Sequence, residues 1–130
     1  MKETVLLYHV EGDTRDKILN ILNQLEIEYK DIQVDDIHQK IGYLLDIPGY
    51  ENSKDKIPEA TLDHEFVFFA YMTDEQLDIL LQLFKASQVP YIPLKAMLTD
   101  SNVEYRFYDL YHNVQHEYEQ ISGQILSKSI

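Results

Sequence analysis

Two histidines four residues apart, His112 and His116, are the sharpest chemical signal in the chain. On a helix that spacing puts both imidazoles on one face, as a metal site on a helix requires. The stretch reads His-Asn-Val-Gln-His, which has the spacing of a zinc-protease helix but carries Asn113 where that chemistry needs a general base. Neutral imidazoles suit Zn or Ni better than Mg. No third ligand is evident, because Glu117 projects ~100° around the helix from His116, which leaves Asp109 or a second subunit to complete a site. The expectation is therefore no metal and no cofactor, with His112 and His116 as weak candidates only.

Other chemistries fail on residue type. The chain has no Cys, which excludes disulfides, thiol catalysis and thiolate metal sites. Its four glycines form no Gly-rich loop after a strand, so Rossmann and P-loop phosphate cradles are missing. No serine sits in a nucleophile-elbow context. Asp13 with Asp16, or Asp35 with Asp36, are paired acids that helix capping explains more simply. No catalytic residue is assigned, and a non-enzymatic role is the leading expectation.

The elements that would hold such groups follow from periodicity. Residues 4–10 and 66–71 are continuous apolar runs, the pattern of strands buried on both faces. A helix follows each: Asp13 or Thr14 can cap the first, and Thr73 with Gln76 forms a capping box for the second. Residues 28–34 alternate as a half-exposed edge strand, and 89–98 read as a strand that lies at an edge or is irregular at its start, because Pro90 and Pro93 lie inside it. Asp35 and Asp36 introduce a short helix over 37–45, and Ser101 with Glu104 a long one whose inner stripe runs from Phe107 to Ile121 and which Gly123 ends. A shift of 62 positions places Val5, Leu6 and Leu7 on Val67, Phe68 and Phe69. The same shift places Ile27, Tyr29 and Ile32 on Val89, Tyr91 and Leu94, so the same supersecondary unit is used twice.

At 130 residues this is expected to be one domain, with internal duplication of 3–46 and 65–121 joined by a polar loop over 47–64. The fold class is α/β: two β-α-β-α units forming one four-stranded sheet, parallel, in order 2-1-3-4, with helices on both faces. The alternative is a ferredoxin-like α+β sandwich with added helices.

With 23 acidic against 11 basic residues the net charge is -12, a surface that repels a phosphate backbone, so no nucleic-acid partner is expected. No segment reaches the ~20 apolar residues of a membrane span, and the first residues do not read as a signal peptide. No membrane partner and a cytoplasmic location are the expectation.

The run Lys95-Ala-Met-Leu-Thr-Asp-Ser-Asn102 resembles a turn found in a small bacterial family known only as a domain of unknown function, DUF3783. The resemblance runs from about residue 66 to 117, including the strand before a Thr-Asp-Glu cap. It implies no activity, and it puts weight on Lys95, Thr99 and Asn102.

Two functional readings result. The first is a protein-interaction or regulatory module that meets a protein partner or a second copy of itself through Tyr105, Tyr108 and His112. The second is a small-molecule binder or enzyme using the crevice where a doubly wound sheet reverses, reached by His9, Glu11, Gly12, Asp13, Tyr71 and Thr73.

Overall fold

The computed structural model describes residues 2–55 and 62–128, with side-chain surroundings through Gln120, so Ile121 of the expected inner stripe lies outside the described side chains. Four strands, β1 (Thr4–Tyr8), β2 (Glu28–Ile32), β3 (Phe66–Ala70) and β4 (Leu94–Met97), alternate with helices α1 (Gly12–Gln24), α2 (Ile41–Leu44), α3 (Asp74–Ala86) and α4 (Phe107–Lys128). The sheet order is β2-β1-β3-β4, so the two fully apolar strands are central, as their composition requires. Both outer pairs, β1 with β2 and β3 with β4, are parallel. The central pair β1 and β3 is antiparallel, which corrects the all-parallel expectation. Alternation of strand and helix sets direction only within a crossover. The 33–65 connection holds a 3₁₀ turn, the one-turn α2 and an irregular stretch, and it leaves the direction of β3 open. The parallel outer pairs also differ from the ferredoxin-like alternative.

The chain divides into two compact units, each made of two sequence stretches: Met1–Gln33 with His64–Leu98, and Val34–Asp63 with Thr99–Ile130. The first unit holds the sheet with α1 and α3. One face of the sheet, Val5, Leu7, Val67 and Phe69, packs with Ile18, Ile21 and Leu22 of α1 and Leu80 and Phe84 of α3. Leu6, Tyr8, Phe66 and Phe68 on the opposite face are buried too.

Positions 62 apart do the same jobs in this unit. The β1–β3 ladder is centred on Leu6 opposite Phe68, which are themselves 62 apart. His9 and Tyr71 are left-handed at φ +59° and +64°, and Glu26 and Gln88 at +57° and +62°. The N–H of Ile27 donates to the Leu22 carbonyl and that of Val89 to Phe84, both at 2.9 Å, while Glu26 donates to Asn23 and Gln88 to Lys85. Each set is a Schellman closure. A third ends α2, where Asp46, also left-handed, donates to Tyr43 and Ile47 to Gly42.

The correspondence then breaks. Val5 stands opposite Tyr29 whereas Val67 stands opposite Lys95, so β4 enters the sheet four residues late relative to β2. The extra residues are Pro90, Tyr91, Ile92 and Pro93, which precede β4 instead of lying inside a 89–98 strand, because proline cannot donate to the ladder. Lys95 rather than Tyr91 thus takes the place of Tyr29.

In the second unit, Ile37, Ile41, Leu44, Leu62, Phe107, Leu110 and Tyr111 are buried. Lys40 and Arg106 form an antiparallel bridge, flanked by bonds from the Ile41 N–H to the Tyr105 carbonyl and from the Phe107 N–H to Gln39, both 2.9 Å. Buried Gln39 ties down the next loop: its side chain donates to Asn52 at 3.0 Å and accepts from the Ser53 N–H at 2.8 Å.

Several local expectations change. The helix over 37–45 contracts to α2, with a 3₁₀ turn at Val34–Asp36 before it. Neither Asp13 nor Thr14 caps α1; Glu11 is the N-cap and its side chain makes no cap bond. Thr73 and Gln76 form the predicted box. Ser101 makes no cap bond, and α4 continues past Gly123 to Lys128.

Each Schellman closure places a side-chain-bearing residue where glycine is free of strain. Glu26→Gly and Gln88→Gly are each expected to raise the unfolding free energy by about 0.5–1 kcal/mol. The two gains should add, since the sites share no partner, as urea unfolding of the two single variants and the double variant will measure.

Candidate functional site

The residues assigned to a crevice do not converge. His9, Glu11, Gly12 and Asp13 follow the end of β1, while Tyr71 and Thr73 follow the end of β3. The register of Thr4 with Ala70 and Tyr8 with Phe66 puts these ends at opposite ends of the strand pair, roughly 13 Å apart along a five-residue strand. Each residue has a local role instead. His9 stacks on Tyr8 with ring centroids 5.9 Å apart, and Asp13 pairs with Lys17 at 3.2 Å on an exposed helix turn. The Thr73 hydroxyl accepts the Gln76 N–H at 3.1 Å while the Gln76 side chain accepts the Thr73 N–H at 2.8 Å. The Tyr71 hydroxyl is buried without a hydrogen-bond partner among the described residues, and burial pushes its phenol pKa up.

On α4, His112 is exposed and packs edge-on against Tyr108 at 4.4 Å and Tyr111 at 5.7 Å. His116 lies against the Gln120 side chain at 3.1 Å. No group of three or more metal-ligating side chains occurs among the described residues. Tyr108 is half-buried and Tyr105 is 39% exposed.

Of the family-pattern residues, two are structural. The Thr99 N–H donates to Asn102 Oδ1 at 2.8 Å, and the Asn102 N–H donates to Thr99 Oγ1 at 3.0 Å. This reciprocal box closes the turn that the Ser101 and Glu104 pair was expected to cap.

Lys95 is different. On β4 beside α3 it borders a cavity of about 470 Å³ with an apolar lining that includes Leu81, Phe84, Val89, Pro90, Tyr91 and Ile92. Three of those residues belong to the four-residue extension. Lys95 Nζ donates to the Ile92 carbonyl and lies 4.5 Å from the centroid of the Tyr91 ring. Among the described residues no carboxylate pairs with it, nor with Lys85 at the rim. Burial holds the Lys95 amine below the ordinary lysine value of 10.5.

The matching corner of the other half is closed by an ion pair. Arg15 donates to both carboxylate oxygens of Asp31, at 2.7 and 3.3 Å, and its guanidinium lies 5.9 Å from the Tyr29 ring centroid. The residues in the matching places, Leu77 and Met97, are apolar and pack on the core. The same architecture thus yields a neutralised corner in one half and, in the other, an apolar cavity with two cations that no described carboxylate neutralises. Sequence reasoning picked out Lys95 but not the cavity, whose only signal was the Pro-Tyr-Ile-Pro run. Nor did it find Tyr50 and Gly42: a Cβ at Gly42 would lie 2.6 Å from the Tyr50 ring, so this helical glycine is a seat for an aromatic side chain.

Residues 65–121 match the model of a family described as Domain of unknown function (DUF3783), and this stretch includes β3, α3, β4 and the Lys95 cavity. Neither a curated protein nor a solved structure matches the chain. No helix among the described residues is long and apolar enough to cross a membrane.

Replacing the desolvated cation by an apolar side chain removes a cost to folding. The Lys95→Met chain is expected to be more stable than the wild type at neutral pH, by about 1 kcal/mol or less. The sign with pH follows from linkage: the unfolded chain binds the extra proton between the lowered folded pKa and 10.5, so wild-type stability rises across that window. The gap between the two should narrow as pH rises towards 10.5, which melting curves at stepped pH will show.

Proposed function

We propose that the DUF3783 stretch makes this chain a non-enzymatic binding module for a small amphipathic anion, whose tail enters the cavity beside Lys95. The observation that carries the reading is the pairing of a half-open apolar cavity of about 470 Å³ with two lysines that lack a carboxylate partner among the described residues. That size lies within the usual range for small-molecule sites. A carboxylate headgroup would accept the remaining donors of Lys95 and replace water around a cation already partly desolvated. We also read the two β-α-β halves as copies of one ancestor, supported by matched caps and left-handed residues, with the second copy altered at the Pro90–Pro93 extension.

A second reading, self-association or protein binding through Tyr105, Tyr108 and α4, draws support from the exposed turns of that helix, where Tyr118 is 36% exposed. Light scattering should then give a mass above the monomer that Tyr105→Asp with Tyr118→Asp restores to monomer. A wild type that is monomeric at high concentration removes this reading.

For the main reading, octanoate and decanoate should raise the melting temperature of the wild type and not of Lys95→Met, since a ligand that binds only the folded state stabilises it by mass action. The protonated amine is the binding form, so affinity should hold at neutral pH and fall as pH rises through the lowered pKa of Lys95, before 10.5 is reached. Equal stabilisation of both chains, or none of either, ends the proposal.

A further inference from the structure

A second cavity, of about 380 Å³, lies in the unit formed by 34–63 and 99–130, and its wall is charged rather than apolar. The antiparallel bridge between Lys40 and Arg106 sends both side chains to the same side, where both border the cavity. Like charges directly across a bridge repel, so the arrangement needs anionic neighbours. It has two, at ion-pair distance: Lys40 Nζ is 3.6 Å from Glu104 and Arg106 is 3.9 Å from Asp55. Both distances exceed hydrogen-bond length, so neither pair consumes the donors.

The rest of the lining is fixed in place. Tyr50 rests on Gly42 and donates to Glu104 Oε1, a bond that pushes its phenol pKa up and keeps it a donor. Glu51 and Ser53 continue that lining, and the bond between the Ser53 N–H and buried Gln39 pins the loop to the bridge. Two cations and two carboxylates, Glu51 and Glu104, therefore line one cavity, with Glu104 next to Lys40. A dianion would meet both carboxylates, and a simple cation would meet Lys40 and Arg106.

We propose that this cavity binds a small zwitterion, an α-amino acid, with its carboxylate between Lys40 and Arg106 and its ammonium towards Glu51 and Glu104. This site is independent of the Lys95 cavity, and the anion reading can fail without affecting it. The test is a calorimetric titration of the full chain with glycine, alanine, leucine and phenylalanine. The best ligand is then repeated as its N-acetyl derivative, which lacks the ammonium, and as its amide, which lacks the carboxylate. The expected result is binding by at least one free amino acid, weakened at least about tenfold by either modification. Arg106→Gln and Glu104→Gln should each weaken it by a similar factor. The derivatives decide the matter on the wild type even where a variant fails to fold. No binding by any of the four at millimolar concentration overturns the proposal, and so does an N-acetyl derivative or inorganic phosphate that binds as well as the free amino acid.

Discussion

The antiparallel ladder between β1 and β3 is the constraint on which the first unit depends. Both strands are apolar on both faces and buried throughout, apart from Thr4 at the end of β1. Neither could stand at an edge without exposing that surface together with a row of unpaired backbone groups. Pairing them with each other puts the less buried strands β2 and β4 at the edges, where Glu28, Lys30 and Asp31 on one side and the prolines before the other keep the edge unattractive to further strands. Because Leu6 and Phe68 sit opposite each other, the two β-α-β halves meet head to tail, and the carboxyl ends of β1 and β3 point in opposite directions. A crevice shared by those ends cannot form, and each half has its own corner between helix and edge strand.

What happens in those corners is decided by four residues. Without an extension, β2 brings Asp31 opposite Leu7 and within reach of Arg15, and the pair satisfies itself through two hydrogen bonds. With Pro90–Pro93 inserted, Lys95 takes the place of Tyr29, Met97 the place of Asp31, and the charged pair has no counterpart. A half-buried lysine that relies on a backbone carbonyl and a tyrosine ring keeps its charge at some cost. Such a cost persists in folded proteins where it is offset elsewhere or by a ligand, and the cavity beside Lys95 supplies the space for one.

The second unit solves a different problem. Its backbone bridge at Lys40 and Arg106 and the amide network of Gln39, Asn52 and Ser53 hold an irregular stretch that no helix or strand supports. A fully satisfied polar network of this kind fixes one arrangement of a loop, at the price of tolerating little change in any member. Gly42 belongs to the same logic, since any side chain there displaces the Tyr50 ring.

Strand identity, helix identity and the centrality of 4–8 and 66–70 were legible in the sequence, because double-faced apolar runs and helical periodicity report burial directly. The Thr73–Gln76 box was legible for the same reason: its chemistry is local. Helix ends were less so. All three Schellman closures use Glu26, Asp46 or Gln88 where the familiar signal is glycine, and Gly123, where that signal was read, lies inside α4. Strand direction, the four-residue register offset and the facing of Lys40 with Arg106 depend on pairings between distant segments. Periodicity along one strand does not contain those pairings, so only the tertiary structure decided where lysines meet apolar space and where opposite charges line one cavity.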